Sequence, residues 1–285
     1  MIDLMLYETY DEETLKQLQQ IELDILREFD KLCNDHDLDY FLIGGSAIGA
    51  IRHQGIIPWD DDIDVGMNRK DYDKFLEIAK QDFSDNYTVV NNETNPNFPL
   101  MNTRWGLNGT KFKTKDLKNV PGNFGIFLDI FCFDNVSDDE RKMKIQITLA
   151  WLYGKLSVLS VVDQPVLYID GWKKQIILLM SKSVHVIFNL LSLKPTFFYK
   201  KAKKYMLKYQ NEETEKMAYM FEPQRYISVA RKKDVYPTKR IKFESFDAKV
   251  PNNIEKFLKK RYGDYMTLPP EEKRHNHPPY ELKLK

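Results

Sequence analysis

The spacing of apolar and polar residues predicts alternating helices and strands over the first third of the chain. Apolar side chains recur with helical periodicity over 12–34, which indicates a long amphipathic helix. From Asp62 to Gly66, carboxylate and apolar residues alternate, the period of a strand with one polar face. The predicted elements are a helix at 12–34, a strand at 40–43, a helix from the turn Gly44-Gly45-Ser46 to Arg52, a strand from Asp62 and a helix at 69–80.

The middle of the chain has the pattern of strands. Apolar and β-branched residues favour strands at 86–91 and 100–107, and Asn108-Gly109 before Thr110-Lys-Phe112 is typical of a β-hairpin. The segment 125–131 is almost wholly apolar, with Asp129 as its single charge. We therefore predict a further strand that carries one carboxylate.

Beyond residue 137 the character of the chain changes. Long apolar helices are predicted at 140–160 and 172–193 and a Lys- and aromatic-rich helix at 197–209, followed by a strand pair around 225–247 and a helix opened by Pro251 and closed by Gly263. We predict three units: a catalytic core over 1–137, a helical subdomain over 138–222, and a C-terminal unit over 223–285 that completes the core.

Composition is that of a globular protein in a reducing compartment. The chain has 285 residues, 42% apolar and 30% charged, which excludes a disordered tail or a fibrous repeat. Its two cysteines, Cys33 and Cys132, argue against a disulfide framework and a cysteine-based zinc site. The acidic N-terminal segment lacks the features of a signal peptide, so a cytoplasmic location is expected.

The net charge of +1 hides a strong polarity along the chain. Residues 1–140 carry 13 basic and 28 acidic side chains, whereas residues 141–285 carry 30 basic and 14 acidic ones. An acidic half is therefore followed by a basic half. The basic residues show no RNA- or DNA-binding signature, so no nucleic-acid partner is expected.

Four carboxylates lie within five residues, at Asp60, Asp61, Asp62 and Asp64. Like charges this close destabilise a fold unless a cation lies between them, and carboxylate oxygens prefer Mg²⁺ or Mn²⁺ to zinc. On a strand, Asp62 and Asp64 would share a face and reach one ion or a pair of ions. The alternative is a solvated acidic turn.

Two other features of the sequence favour a ligand-binding site over a solvated acidic turn. Gly44-Gly45-Ser46 follows a strand and opens a helix, where backbone N–H groups and a hydroxyl can hold phosphate oxygens, although a plain strand-to-helix turn has the same pattern. Asp129 lies in an apolar strand, where a buried carboxylate needs a metal, another cation or hydrogen-bond donors. A carboxylate satisfied only by hydrogen bonds in the core is the purely structural alternative. Together they predict a phosphate-binding turn beside a three-carboxylate metal site.

The order of these motifs resembles the nucleotidyltransferase-fold superfamily. The longer string GGSAIGAIRHQGIIPWDDDIDVGMNRKDYDKF resembles the LicD family of phosphotransferases, as do GIFLDIF and KKRYGDYMTLPPEEKRHNHPP. The resemblance covers most of 12–135 and 240–280, and Ser46-Ala-Ile stands where Thr-Leu-Leu is expected. It implies an α/β (α+β) fold with a mixed sheet flanked by helices, and an inserted, mainly helical apolar and basic subdomain.

The resemblance also implies a chemistry. It implies metal-dependent transfer of a phospho-substituent from a CDP-activated donor to a glycan hydroxyl, commonly phosphocholine from CDP-choline to a teichoic acid or lipopolysaccharide precursor. Two Mg²⁺ or Mn²⁺ ions would be held by Asp62, Asp64 and Asp129, with Asp60 as an outer ligand and Asp61 the least favoured. Asp129 would also be able to take the proton from the acceptor hydroxyl. Gly44, Gly45 and Ser46 would bind phosphate.

Several cations and aromatic residues are further candidates for substrate binding. Arg52 can clamp a phosphate or merely neutralise the acidic cluster, and His53 can contact a phosphate or orient a carboxylate. Trp59, Trp105 or Tyr226 can place a ring beside a quaternary ammonium, with core packing as the alternative for each. The match of the C-terminal segment adds phosphate contacts by Arg261 or Arg274. An ordered surface strap is the alternative for that segment.

The apolar segment 175–193 is long enough to span a bilayer, but Lys182, His185 and Asn189 interrupt it. Flanking lysines and aromatic residues are typical of helices on an anionic membrane surface. We therefore expect a peripheral protein at the inner face of the cell membrane, acting on a lipid-linked acceptor. A helical subdomain packed against the core is the alternative.

Three other functions remain open from sequence. The donor can instead be a CDP-alditol such as CDP-ribitol. The chain can also be a nucleotidyltransferase that uses an NTP and releases pyrophosphate, since the carboxylates do not decide which phosphorus is attacked. A non-enzymatic polyanion- or membrane-binding protein would leave Asp62, Asp64 and Asp129 without a role.

Overall fold

A mixed sheet forms the centre of the protein in a computed structural model that describes residues 10–163, 171–274 and 276–284. Five strands run in the order β1-β2-β6-β4-β3, and β7 and β8 extend the sheet from β6. The strands are β1 Phe41–Leu42, β2 Asp64–Asn68, β3 Tyr87–Val90, β4 Thr103–Leu107, β5 Lys111–Lys113, β6 Phe127–Val136, β7 Lys216–Ala218, β8 Ala230–Arg231, β9 Lys239–Phe243, β10 Phe246–Val250 and β11 Glu281–Lys283. β2 and β6 are parallel, and the other pairs in this sheet are antiparallel.

Helices flank the sheet, which confirms the predicted mixed fold. They are α1 Glu12–Asp35, α2 Gly44–Arg52, α3 Arg69–Asp82, α4 Glu140–Leu159, α5 Trp172–Leu190, α6 Pro195–Met206, α7 Lys232–Val235 and α8 Ile254–Tyr262. The predicted helices at 12–34 and 69–80 are thus confirmed to within two residues. Asp11 caps α1 by accepting a bond from the Thr14 N–H at 2.8 Å.

The alternation of side chains along β2 and β6 separates an apolar face from an acidic one. Val65 and Ile130 belong to the main core beneath α1, where Phe29 packs against Trp105. Because successive side chains point to opposite faces, Asp64 and Asp129 lie on the other side of the sheet. The strand period therefore places two carboxylates on one face without disturbing the core.

Two predicted strand features are wrong. The strand begins at Asp64 rather than Asp62, because the Asp60 N–H bonds back to the Ile57 carbonyl and the chain is still turning there. The chain turns at Asn108-Gly109 as predicted, but the strands before and after the turn do not pair with each other. β4 is already flanked by β3 and β6, so β5 leaves the sheet and pairs with the C-terminal β11.

The C-terminal third differs from its prediction in two places. The strand pair is a hairpin of β9 and β10 over 239–250, later than the predicted 225–247. Helix α8 begins three residues after Pro251, where the Asn253 side chain caps it, and it ends before Gly263 as predicted. The domain boundaries at 137 and 222 stay a prediction.

Helix α5 is exposed over most of its length. Its exposed apolar side chains include Trp172, Leu179, Met180, Ile187 and Leu190, whereas α4 and α6 pack against each other. No single helix in the described ranges is long and apolar enough to cross a membrane; Lys174–Leu190 and Pro195–Met206 meet that test only as a pair bent by 104°.

Candidate active site

Asp64 and Asp129 lie directly opposite each other on the parallel strands β2 and β6. On the far side of β6, Arg104 of β4 is the antiparallel partner of Asp129 and contacts its Oδ1 at 3.3 Å. The Asn102 amide donates to the same oxygen at 2.6 Å. Both bonds use Oδ1, so Oδ2 is the oxygen that remains for a metal or a proton. The pairing register thus brings together two residues that are 65 positions apart.

The carboxylates beside this pair raise one another's pKa. Burial, and then the charge of Asp61, raises the pKa of Asp60 to about 6. Burial and the charges of Asp60, Asp61 and Asp129 raise the pKa of Asp62 to about 8. The pKa of Asp64 is raised well above its ordinary value by burial and by Asp62 and Asp129. The site therefore has more negative charge than the protein around it compensates.

The glycine turn touches these carboxylates directly. Gly44 has φ +60°, and a Cβ placed on it would lie 2.6 Å from Asp64 Oδ2. A Cβ on Gly45 would clash with Asp60 Oδ2. The buried Ser46 hydroxyl accepts a bond from the Asp64 N–H at 2.9 Å, so it positions the strand that carries the carboxylate. No side chain in the described part of the chain caps this end of α2. A phosphate held at this turn would bind beside Asp60 and Asp64.

The donor set fits a hard divalent cation. Asp60, Asp62, Asp64 and Asp129 offer only oxygen, and their mutual repulsion is what a divalent ion relieves. Over the described ranges, however, no three His, Cys, Asp or Glu side chains already converge closely enough to hold one ion. An ion at this site would have to draw the carboxylates together.

Glu22 is a further carboxylate beside this site, which the acidic motif itself does not include. Glu22 lies on the buried side of α1, is 3% exposed, and its Oε2 has no hydrogen-bond partner among the described residues. Burial and the charges of Asp62, Asp61, Asp60 and Asp64 raise its pKa well above the ordinary range. In the sequence, Glu22 occupies one of the periodic, otherwise apolar positions of α1, and this position is what indicates that its carboxylate is buried. The roles of Asn102 and Arg104 had no such signal, because they depend on strand register.

Asp61 has a separate structural role. It is 2% exposed, accepts a bond from the His277 N–H at 2.7 Å, and lies 3.3 Å from the His277 ring. The C-terminal segment is therefore hydrogen-bonded to the acidic cluster, and β11 of the same segment pairs with β5. These contacts agree with the expected ordered strap. His275, which precedes this segment, lies outside the described residues.

Arg52, His53, Trp59 and Arg274 form one cluster beside Asp60. The guanidinium carbons of Arg52 and Arg274 lie 5.9 and 4.9 Å from the centre of the Trp59 ring. Arg52 donates to His53 Nε2 and to the Tyr265 carbonyl, and burial and Arg52 lower the pKa of His53. The Trp59 ring thus already contacts two cations, and the two arginines form a positively charged surface beside Asp60.

Arg261 is held by a buried carboxylate. Its guanidinium pairs with Glu222 through two nitrogens, one at 2.8 Å, and Ser228 donates to the same carboxylate at 2.6 Å. The charge of Arg261 acts to lower the pKa of Asp64, although burial keeps that pKa high. Arg261 therefore lies within electrostatic reach of the acidic pair. Trp105, by contrast, is completely buried against Tyr87 and Phe29, so it belongs to the core.

Comparison with known proteins identifies the matched domain. A family model described as "LicD/FKTN/FKRP, nucleotidyltransferase domain" matches residues 37–152. The match includes the glycine turn, the acidic cluster and β6 with Asp129.

Two kinds of relative are similar to the chain. It is 26% identical over 293 aligned positions to a protein of Haemophilus influenzae named "Lipopolysaccharide cholinephosphotransferase LicD", covering 93% of this chain and 96% of that protein. It is 56% identical over 32 residues to "Ribitol 5-phosphate transferase FKRP" of Homo sapiens and of Mus musculus, covering 11% of this chain and 6% of each.

Proposed function

We propose that this chain, a LicD-family phosphotransferase, transfers phosphocholine from CDP-choline to a hydroxyl of a cell-envelope glycan precursor of the teichoic acid or lipopolysaccharide type. The observation that carries the proposal is Asp64 opposite Asp129 on parallel strands, with the Gly44 turn against Asp64. The similarity to a lipopolysaccharide cholinephosphotransferase over nearly all of both chains supports the choice of donor and acceptor class.

In this reaction the acceptor oxygen attacks the phosphorus that carries choline. A new P–O bond forms to the glycan, the bond to the CMP oxygen breaks, and the acceptor hydroxyl loses its proton. Asp129 would take that proton through Oδ2 when this oxygen is not bound to a metal ion, since Asn102 and Arg104 occupy Oδ1. Burial raises the pKa of Asp129, which makes it a stronger base than an exposed aspartate.

We propose Mg²⁺ or Mn²⁺ as the cofactor, held by Asp62, Asp64 and Asp129 with Asp60 at its outer side. Two such ions, when bound, would neutralise charge on the donor diphosphate and on the attacking and leaving oxygens. The Gly44-Gly45-Ser46 turn would bind a phosphate oxygen. Arg52, Arg274 and Arg261 would supply positive charge on either side of the carboxylates.

A CDP-alditol such as CDP-ribitol is the second candidate donor. The 56% identity with a ribitol 5-phosphate transferase favours it, but that identity covers only 32 residues. Transfer of a nucleotidyl group from an NTP is the third candidate. The same carboxylates would serve all three reactions, so the products must separate them.

Product analysis tests the proposal. The protein would be incubated with Mg²⁺, CDP-choline and a glycan acceptor, with CDP-ribitol and with each NTP in parallel. Release of CMP from CDP-choline, with phosphocholine on the glycan, is the expected result, and Asp64→Asn is the inactive control. Pyrophosphate from an NTP, or CMP from CDP-ribitol alone, would refute the choline assignment. Full activity in EDTA would refute the metal.

We also propose that α5 and α6 lie on an anionic membrane surface, which would keep the protein at the inner face of the cell membrane beside a lipid-linked acceptor. The exposed apolar side chains of α5 support this, because a soluble surface rarely leaves a helix so apolar. Exposed Lys200, Lys201 and Lys204 on α6 supply the complementary charge.

Vesicle flotation tests this placement. Vesicles containing anionic phosphatidylglycerol should carry the protein upward, and the bound fraction should fall on Leu179→Ser with Met180→Ser, and on replacement of Lys200, Lys201 and Lys204 by Gln. Leu268→Ser, an exposed leucine outside these helices, is the matched control. Absence of flotation, or flotation unchanged by both sets of substitutions, would refute the membrane surface.

A further inference from the structure

A cavity of about 260 Å³ lies next to the acidic pair, between α4, the loop before β4, β6 and the segment 219–223. Phe131 lines it from β6, two residues beyond Asp129 and therefore on the same face of the sheet. Asn102 lines it too, and its amide donates to Asp129. A group in this cavity would thus be one side chain away from the carboxylate.

Aromatic rings form much of the wall. Phe131 and Tyr219 meet edge to face with centroids 4.9 Å apart, and Tyr219 and Phe221 have centroids 5.5 Å apart. Gly154 of α4 admits the Phe221 ring, because a Cβ there would lie 2.5 Å from Phe221 Cδ1. Trp151 completes the set from α4. Four aromatic side chains therefore surround one small volume.

Two polar residues of the wall are engaged within the protein. Both oxygens of Glu222 bind Arg261, and Ser228 adds a further bond. The Trp151 N–H donates to the Glu222 carbonyl at 2.8 Å. Most of the wall is apolar, so a ligand rich in hydroxyls would lose bonds to water on entering.

Cations already lie over one of these rings. The Lys155 ammonium is 5.4 Å from the centre of the Trp151 ring, and the Arg225 guanidinium carbon is 5.5 Å from it. Burial lowers the pKa of Lys155, since a primary ammonium loses hydration there. A quaternary ammonium has no N–H to satisfy, and among the described residues no cation lies over the rings of Phe131, Tyr219 or Phe221, to which it would be attracted.

We infer that this cavity binds the quaternary ammonium group of the donor, with Phe131, Tyr219 and Phe221 as the cation-binding walls. The inference rests on the proposed function and adds to it the place where choline is recognised. It also predicts discrimination against a CDP-alditol, whose hydroxyls the aromatic walls would leave without partners.

Calorimetric binding of choline tests the inference without turnover. Its neutral isostere, 3,3-dimethylbutanol, has the same shape but no charge, so the wild-type protein should bind choline about 3- to 30-fold more tightly. Phe131→Leu, which keeps an apolar side chain but removes the ring, should reduce that ratio. Val158→Phe, which fills the cavity from α4, should abolish binding, and Leu152→Phe on the exposed side of α4 should not.

The Lys155→Met variant tests whether the cavity binds a cation or an anion. Removing one positive charge from the wall should leave choline affinity unchanged or increase it. A loss of affinity in this variant would show that the cavity needs a cation of its own and would overturn the inference.

The two proposals fail separately. Equal binding of choline and 3,3-dimethylbutanol, or no binding of either, overturns the cavity assignment even if CDP-choline still yields CMP. Choline binding that responds to Phe131→Leu and Val158→Phe, without CMP release from CDP-choline, supports the cavity and refutes the proposed reaction.

Discussion

Asp64 on β2 is the register partner of Asp129 on the parallel strand β6, so two carboxylates face the same side of the sheet on neighbouring strands. Neighbouring parallel strands lie about 4.8 Å apart. The two carboxylates therefore repel each other, and Arg104 and Asn102 stabilise only Oδ1 of Asp129.

Asp64→Asn should abolish transfer and leave the fold intact. The amide removes the cost of burying a carboxylate beside Asp62 and Asp129, so the variant should be at least as stable as the wild type in EDTA. Saturating Mg²⁺ should raise the Tm of the wild type by several degrees, as a ligand specific to the native state does, and should leave the variant unchanged. Thermal unfolding with and without Mg²⁺, together with CMP release, measures both effects. Substantial activity in the Asp64→Asn variant would contradict the assignment.

Gly44→Ala should reduce activity far more than its effect on stability explains. Alanine at φ +60° costs about 1 kcal/mol, and its Cβ would also displace the Asp64 carboxylate. Gly109→Ala is the matched control, because Gly109 has φ +83° with nothing within 4 Å of an added Cβ. Both variants should lose similar stability by urea unfolding, and only Gly44→Ala should lose most of its turnover. Equal turnover in the two would show that the turn does not position Asp64.

Arg261→Met should destabilise the protein by about 3 kcal/mol, because the buried Glu222 would lose its charge partner. Adding Glu222→Leu should restore much of that stability by removing the uncompensated carboxylate. Activity should remain low in the double variant if Arg261 also binds substrate. Urea unfolding and the KM for the donor separate the two roles, and a fully active double variant would leave Arg261 with a structural role alone.

Glu22→Gln should change the pH dependence of stability. The pKa of Glu22 is raised in the folded protein, so the folded state holds a proton that the unfolded state releases above the ordinary value of 4.5. Folding stability of the wild type therefore falls as pH rises above that value, by at most about 1.4 kcal/mol per pH unit. The glutamine variant should lack this part of the slope. Urea unfolding in EDTA from pH 5 to 9 measures it, with half-buried Glu28→Gln on the same helix as control; identical slopes for wild type and Glu22→Gln would contradict it.

The sequence alone determined the local elements and the acidic strand. Periodicity located α1, α3 and α4, and the run of aspartates with the isolated Asp129 identified the residues that the sheet brings together. Each of these signals is short-range, since an element's period and an uncompensated charge can both be judged from neighbouring residues.

Only the tertiary structure decided what depends on pairing between distant segments. Strand pairing placed Asn102 and Arg104 on Asp129 and moved β5 from its expected hairpin to β11. Packing of α1 buried Glu22 near the cluster, and the C-terminal segment brought His277 to Asp61. A β-strand carries no local record of its neighbour, and a one-residue shift would exchange every inward and outward side chain. The aromatic cavity beside Asp129 has the same origin, because its rings come from three separate parts of the chain.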